Sequence, residues 1–221
     1  MSVFAEYRQK AWPHRFAVTL LVGTIAGGTP TDAKVAEGWL KTKLGDRDDL
    51  IREAVATTMV ERGISAEEAA KEVDNLKHLN GFKRDENGLY IEGRQAKAAI
   101  KEAASVAGAS GKLPLKKWGM TGKGLLGYIS EHVFVLEDRL HLGVAEPTGI
   151  VQRFVHTWRG SGIQYEEYVE NAKVSFTVVT DHDFTDEQWA MLWLTGEQQG
   201  IGASRSQGFG RYEVIAWERL K

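Results

Sequence analysis

Cysteine is absent from the 221-residue chain. That excludes disulfides, thiol nucleophiles and zinc or iron–sulfur sites built on cysteine. No apolar run approaches the roughly 18 residues that a membrane-spanning helix needs. The N-terminal stretch MSVFAEYRQKAWPHRF lacks the apolar segment of a secretory signal, so secretion is not expected. A strong charge of one sign is missing as well: the formal net charge is -2. An overtly basic nucleic-acid binder looks different, yet binding follows local charge, and a near-neutral total does not exclude it. The metalloprotease HExxH, the phosphate-loop GxxxxGK[ST] and the nucleophile-elbow GxSxG patterns are all absent.

What is present fits a soluble globular protein of a reducing, cytoplasmic compartment, with 43% hydrophobic and 26% charged residues. Seven tryptophans supply large apolar bodies and potential stacking surfaces. The length suits one domain with a large insertion, or two small domains.

The first strand pattern is RFAVTLLVG, residues 15 to 23. Phe16, Val18, Leu20 and Val22 alternate at period two, and the fairly apolar opposite face predicts an interior strand. Helices are expected at 32–43, 49–62 and from Ser65 towards Leu79, the last opened by a Ser65/Glu68 capping box. A small hairpin is expected around Asn87-Gly88. The alanine-rich segment 94–106 reads as a helix. Short strands are expected at 132–136 and 139–143, then a long, poorly periodic and exposed connection over 144–168.

The last third is the clearest. NAKVSFTVVT, 171–180, alternates as a strand. Residues 185–200 form a helix with a Thr185/Gln188 capping box, and its Trp189, Leu192 and Trp193 stripe reads as core rather than as a recognition site. GFGRYEVIAW supplies the last strand. With the insertion removed, the order strand, helix, strand, strand, helix, strand is an α+β, ferredoxin-like (RRM-like) arrangement. Residues 1–26 and 91–221 are expected to form this core, and 27–90 a mainly helical insertion. Helices on one sheet face leave the other face open to a partner.

Just before the last strand lies GIGASRSQGFGRYEV. Gly200, Gly202, Gly208 and Gly210 surround Arg205 and precede Arg211. Glycine admits positive φ and close backbone approach. Exposed amides with an arginine fork suit a phosphate. A turn packed on its neighbours explains the same glycines, and the residues alone leave both readings open.

This segment resembles the glycine-rich loop of the RAMP superfamily of CRISPR-associated proteins, whose members are built on ferredoxin-like domains. IEGRQAKAAIKEA, residues 91–103, partly resembles the pattern that leads into the first helix in the Cas7-like branch. Ile91, Gly93 and Lys97 match, while Glu92, Arg94, Gln95, Ala96 and Ala98 depart. The resemblance runs over most of residues 15–217 outside the insertion. It implies binding of CRISPR RNA as a backbone subunit of an effector complex. The partners would be single-stranded or CRISPR RNA, other subunits of a ribonucleoprotein and further copies of the chain, with no membrane and no cofactor or metal. Two alternatives stay open: a sequence-specific endoribonuclease of the same superfamily, and a non-catalytic interaction or counter-defence subunit.

Local basic charge agrees with an RNA reading. Arg94, Lys97, Lys101, Lys112, Lys116, Lys117 and Lys123 are accompanied by one acidic residue, Glu102. Lys97 and Lys101 are four apart and share a helix face. Trp118, inside this stretch, is a candidate stacking platform or an anchor to the core. RFVHTWRG at 153–160 repeats the mixture with Arg153, His156, Trp158 and Arg159, and the resemblance implies a thumb-like element there. For catalysis the candidates are weak: Asp32, His14 and His156. The DHD at 181–183 reads as charge placed before a helix N-terminus.

Overall fold

The computed structural model describes residues 4, 7, 10–30, 59–60, 65, 79–109, 125–157 and 160–220, with backbone only at 29–30, 79 and 153–164. The expected helices between 32 and 78 lie almost wholly outside the described residues. The chain divides into two compact units, one of residues 1–26, 83–147 and 169–221, the other of residues 27–82 and 148–168.

In the first unit the strand β1 (His14–Ala26) buries Phe16, Val18, Leu20 and Val22 almost completely, as the period-two pattern predicts. The helix α1 (Gly93–Ala109) follows the small strands described below. The helix α2 (Leu125–His132) runs directly into a short strand, Val133–Val135. The strand Gly160–Thr180 contributes its second part, 169–180, to this unit. The helix Asp186–Gln199 and the strand Tyr212–Leu220 complete it. The long and last strands both pair with β1, the last antiparallel, while Val133–Val135 pairs antiparallel with Val178–Thr180. The sheet order is therefore fourth, first, third, second among the core strands, the ferredoxin-like order.

Five alanines and Ile100 make the inner face of α1: Ala96, Ala99, Ala103, Ala104 and Ala107 are buried with it, and Gly93 with them at the start. Small side chains let α1 pack closely on the helix Asp186–Gln199. At their contact a Cβ on Gly196 would lie 3.4 Å from the Ala103 Cβ and 2.2 Å from the Tyr212 hydroxyl. The helix Asp186–Gln199 starts at the expected capping box: Thr185 Oγ1 accepts from the Gln188 amide at 3.3 Å, and Gln188 Oε1 accepts from the Thr185 amide at 2.8 Å. Trp189, Leu192 and Trp193 are buried, in agreement with their reading as core.

A second, small sheet belongs to the same unit: Lys83–Asp85, Gly88–Glu92 and Arg139–His141. The first two form the hairpin expected at Asn87-Gly88. Gly88 has φ +104°, and Asp85 accepts from the Asn87 amide at 2.9 Å. The strand expected at 139–143 therefore lies in this small sheet and not in the ferredoxin-like one.

The second unit corrects the sequence reading of 144–168. Gly149–Thr157 and the first part of Gly160–Thr180 form a regular antiparallel hairpin, from Gly149 opposite Tyr168 to Thr157 opposite Gly160. The hairpin hides from periodicity because glycines, charges and aromatics are mixed along both strands. Its ladder satisfies backbone groups without needing an apolar face. Leu79–Gly81 pairs parallel with this strand at Tyr165 and Glu166, and antiparallel with Thr29–Pro30. Glu167 is buried and ties the unit together: its Oε2 accepts from the Phe82 amide at 2.9 Å, and its carbonyl from the Gly27 amide at 2.8 Å.

Candidate nucleic-acid interface

The glycine-rich loop is first a piece of chain geometry. Gly200, Gly202, Gly208 and Gly210 all have φ between +78° and +92°. A Cβ on Gly210 would sit 1.9 Å from the Ile201 carbonyl oxygen. The loop closes on itself, with the Ile201 amide donating to the Gly210 carbonyl at 2.8 Å. It is pinned to β1, with the Gly210 amide donating to the Thr24 carbonyl at 2.7 Å. Several of its amides are thus used internally, so these glycines serve the fold and leave the arginines to carry any phosphate chemistry.

Arg205 opens a 3-10 turn (Arg205–Gln207) and reaches α1, where it forms an ion pair with Glu102. The loop and the helix that were read separately as basic elements are therefore joined at this pair. Arg211 is exposed and its side chain has no partner among the described residues. Its carbonyl accepts from the Gly23 amide at 3.1 Å, which fixes the backbone beside β1.

Along α1 the basic residues divide. Arg94 is exposed and pairs with Glu92, and Lys101 is half-buried. Lys97 is turned onto the end of α2. Its ammonium donates to the carbonyls of Ile129 at 2.8 Å, Ser130 at 3.2 Å and Val133. It also lies 4.7 Å from the centre of the Phe134 ring. Burial, with a smaller contribution from Lys101, pushes its pKa down to about 8. Lys97 thus holds α2 against α1, and Lys101 is the member of the expected pair left to face outward. Helix α1 itself begins where only glycine fits, since a Cβ on Gly93 would lie 1.9 Å from the Glu137 carbonyl oxygen.

Opposite the helices, the second sheet face carries Arg15, Ala17, Thr19 and Leu21 of β1, with Glu218, Ala216 and Glu213 across from the last three in register. Thr19 and Ser175 hydroxyls meet at 3.0 Å on this face. Trp12 meets Phe134 edge-on with ring centres 4.8 Å apart. The residues named on this face mix apolar, polar and charged side chains of both signs, and are not predominantly basic.

Arg153 and His156 occupy the strand Gly149–Thr157, and their side chains lie outside the described residues, as do Trp158 and Arg159 entirely. Lys112, Lys116, Lys117, Trp118, Lys123 and Asp32 also lie outside them.

His14 is placed with Asp183 and Arg219. The Arg219 guanidinium donates to Asp183 Oδ1 at 2.6 Å and stands 2.6 Å from His14 Nδ1. The Arg219 hydrogen bond, aided by His14, holds the Asp183 carboxyl below the usual range despite partial desolvation.

One cluster escaped the sequence reading. Tyr128 Oη and His182 Nδ1 are 2.7 Å apart, and Tyr128 stacks on His132 with ring centres 4.3 Å apart. His132 Nδ1 in turn stands 2.9 Å from Asp181 Oδ2. Tyr128 and His132 are four apart on α2, but His182 and Asp181 lie 54 and 49 residues from their partners, and no local spacing announces those contacts. In the sequence Asp181 and His182 offer possible metal ligands or an acid–base pair, but their place before a helix N-terminus favours the electrostatic reading, and nothing there points to Tyr128 or His132.

No family model matches the chain, and no curated protein matches it. Among solved structures, a cryo-EM structure of a type III-B Cmr-beta complex bound to cognate target RNA contains a similar chain. The identity is 12% and the TM-score 0.46. The match covers 99% of this chain and 65% of that one, so this chain spans just under two thirds of its length. No helix among the described residues is long and apolar enough to cross a membrane.

Proposed function

We propose that the chain is an RNA-binding, Cas7-like backbone subunit of a cytoplasmic CRISPR ribonucleoprotein used in antiviral defence. The observation that carries this reading is the hairpin Gly149–Tyr168. Its strands pair from Gly149 opposite Tyr168 to Thr157 opposite Gly160, with Arg153 on the first of them, and the sequence Trp158-Arg159 falls between Thr157 and Gly160. A hairpin whose sequence carries an aromatic and two arginines is suited to separating bases and holding the flanking phosphates. Arg94, Lys101, Arg205 and Arg211, together with the lysines from 112 to 123, supply backbone contacts. Lys97 positions α2 behind them. The RNA, neighbouring subunits and further copies of the chain are the partners.

The test is what travels with the purified chain. Nucleic acid that copurifies, disappears on ribonuclease treatment and survives deoxyribonuclease supports the reading. A folded protein that neither carries RNA nor acquires it when added at low salt refutes it.

A second reading, endoribonuclease, is favoured by the Tyr128, His132, Asp181 and His182 cluster more than by Asp32, His14 or His156. A histidine oriented by a carboxylate suits general acid–base work. Incubation of single-stranded RNA in EDTA separates the readings. Backbone binding leaves the RNA intact, whereas nuclease activity yields products that vanish in the His132→Ala and His182→Ala variants.

A further inference from the structure

The helix Asp186–Gln199 and the strand Tyr212–Leu220 border a cavity of about 380 Å³, within the size range of ligand pockets. Three tryptophans wall it: Trp189, Trp193 and Trp217. Trp217 stands 4.9 Å from Trp189 and 5.8 Å from Trp193 between ring centres, at interplanar angles of 48° and 62°. The rings therefore form a concave aromatic surface rather than a flat stack. Their inner parts belong to the core, as expected from the stripe, while Leu194 on the rim is 57% exposed.

Charge at this pocket has one sign. Asp186 and Glu197 line it, and no lysine or arginine does. Glu197 Oε1 accepts from the Val214 amide at 3.0 Å, which fixes the carboxylate at the pocket. Its other oxygen has no partner among the described residues. The buried indole N–H groups of Trp189 and Trp193 also lack an acceptor among the described residues. In the sheet order Tyr212–Leu220 is a terminal strand.

We propose that this pocket receives an arginine side chain from a protein partner. A guanidinium stacks on tryptophan faces and pairs with carboxylates through a planar fork, so one group answers both features of the site. Nucleic acid is the poorer occupant, because the two charged residues that line the pocket are both carboxylates and repel phosphate. The site is on the helix side of the sheet and is independent of the RNA-binding reading.

Seven indole N–H signals make the full chain suited to a nitrogen–proton NMR titration. The probe is capped Gly-Arg-Gly, with Gly-citrulline-Gly as the neutral isostere. Saturable shifts confined to the Trp189, Trp193 and Trp217 signals are expected, with the citrulline peptide about tenfold weaker or worse. The double variant Asp186→Asn, Glu197→Gln keeps oxygen acceptors for the backbone and is expected to weaken arginine binding by about tenfold. The proposal is overturned by no shift up to about 10 mM peptide. It is equally overturned by equal binding of the citrulline peptide, by an unchanged double variant, or by a single-stranded RNA that saturates the same three signals.

Discussion

Gly208 and Gly210 share a left-handed backbone and differ in their surroundings. Nothing lies within 4 Å of a Cβ at Gly208, whereas one at Gly210 meets the Ile201 backbone. Gly208→Ala therefore costs only conformational strain, about 1 kcal/mol. Gly210→Ala adds a collision with unyielding backbone and costs about 2–4 kcal/mol. Urea unfolding midpoints at unchanged slope are the measurement. Equal losses at the two sites would mean that the loop does not close as described. Lys97 offers a second residue-scale test. Folding lowers its pKa from the usual 10.5 to about 8, so the folded state disfavours the proton. This contribution to stability therefore rises with pH between about 8 and 10.5 and is absent below that window. A carbon-detected titration of the Lys97 side chain should show a midpoint near 8. A midpoint at the ordinary lysine value would remove burial as the controlling influence.

The helix Asp186–Gln199 shows what local sequence can specify. Its capping box, its buried stripe and its end at Gly200 follow from residues within one or two turns of each other. Thr185→Ala should cost about 1 kcal/mol in the same unfolding assay. A loss within error of zero would show that the cap is not needed once the tryptophans are packed. The strand β1 was equally legible, because alternating apolar residues bury one face. The hairpin Gly149–Tyr168 was not, because its order comes from strand-to-strand hydrogen bonds that impose no hydrophobic period. The Glu102–Arg205 pair and the Tyr128–His182 and His132–Asp181 contacts were illegible for a different reason: each depends on packing of elements distant in sequence. The glycine-rich loop was legible as a feature and open in meaning. The geometry assigns its glycines to closure and pinning, and leaves Arg205 and Arg211 as the groups with side-chain chemistry.

At the scale of the whole molecule, several carboxylates are held below their ordinary range in the folded state. Burial opposes ionisation of Asp85, but hydrogen bonds from Arg139, the Asn87 amide and His141 outweigh it. Lys83 and then Arg94 lower Glu92, and Arg219 lowers Asp183. Each such group contributes stability above its unfolded value that is lost as pH falls through the folded one. The protein should therefore weaken in acid, below the ordinary 3.8 of aspartate and 4.5 of glutamate. Arg219→Gln should flatten that acid limb, as seen by thermal unfolding against pH, and an identical limb in the variant would exclude Asp183 from it.

The central claim is that a near-neutral chain binds single-stranded RNA through a few placed cations and a hairpin. The most direct test is fluorescence anisotropy of a labelled single-stranded RNA titrated with the chain across a salt series. We predict binding that weakens log-linearly with salt, and a slope that falls by about 0.7 for each phosphate contact removed in the Arg94→Ala, Lys101→Ala, Arg211→Ala combination. Affinity that does not change with salt, or a triple variant whose slope matches that of the unaltered chain, would contradict it.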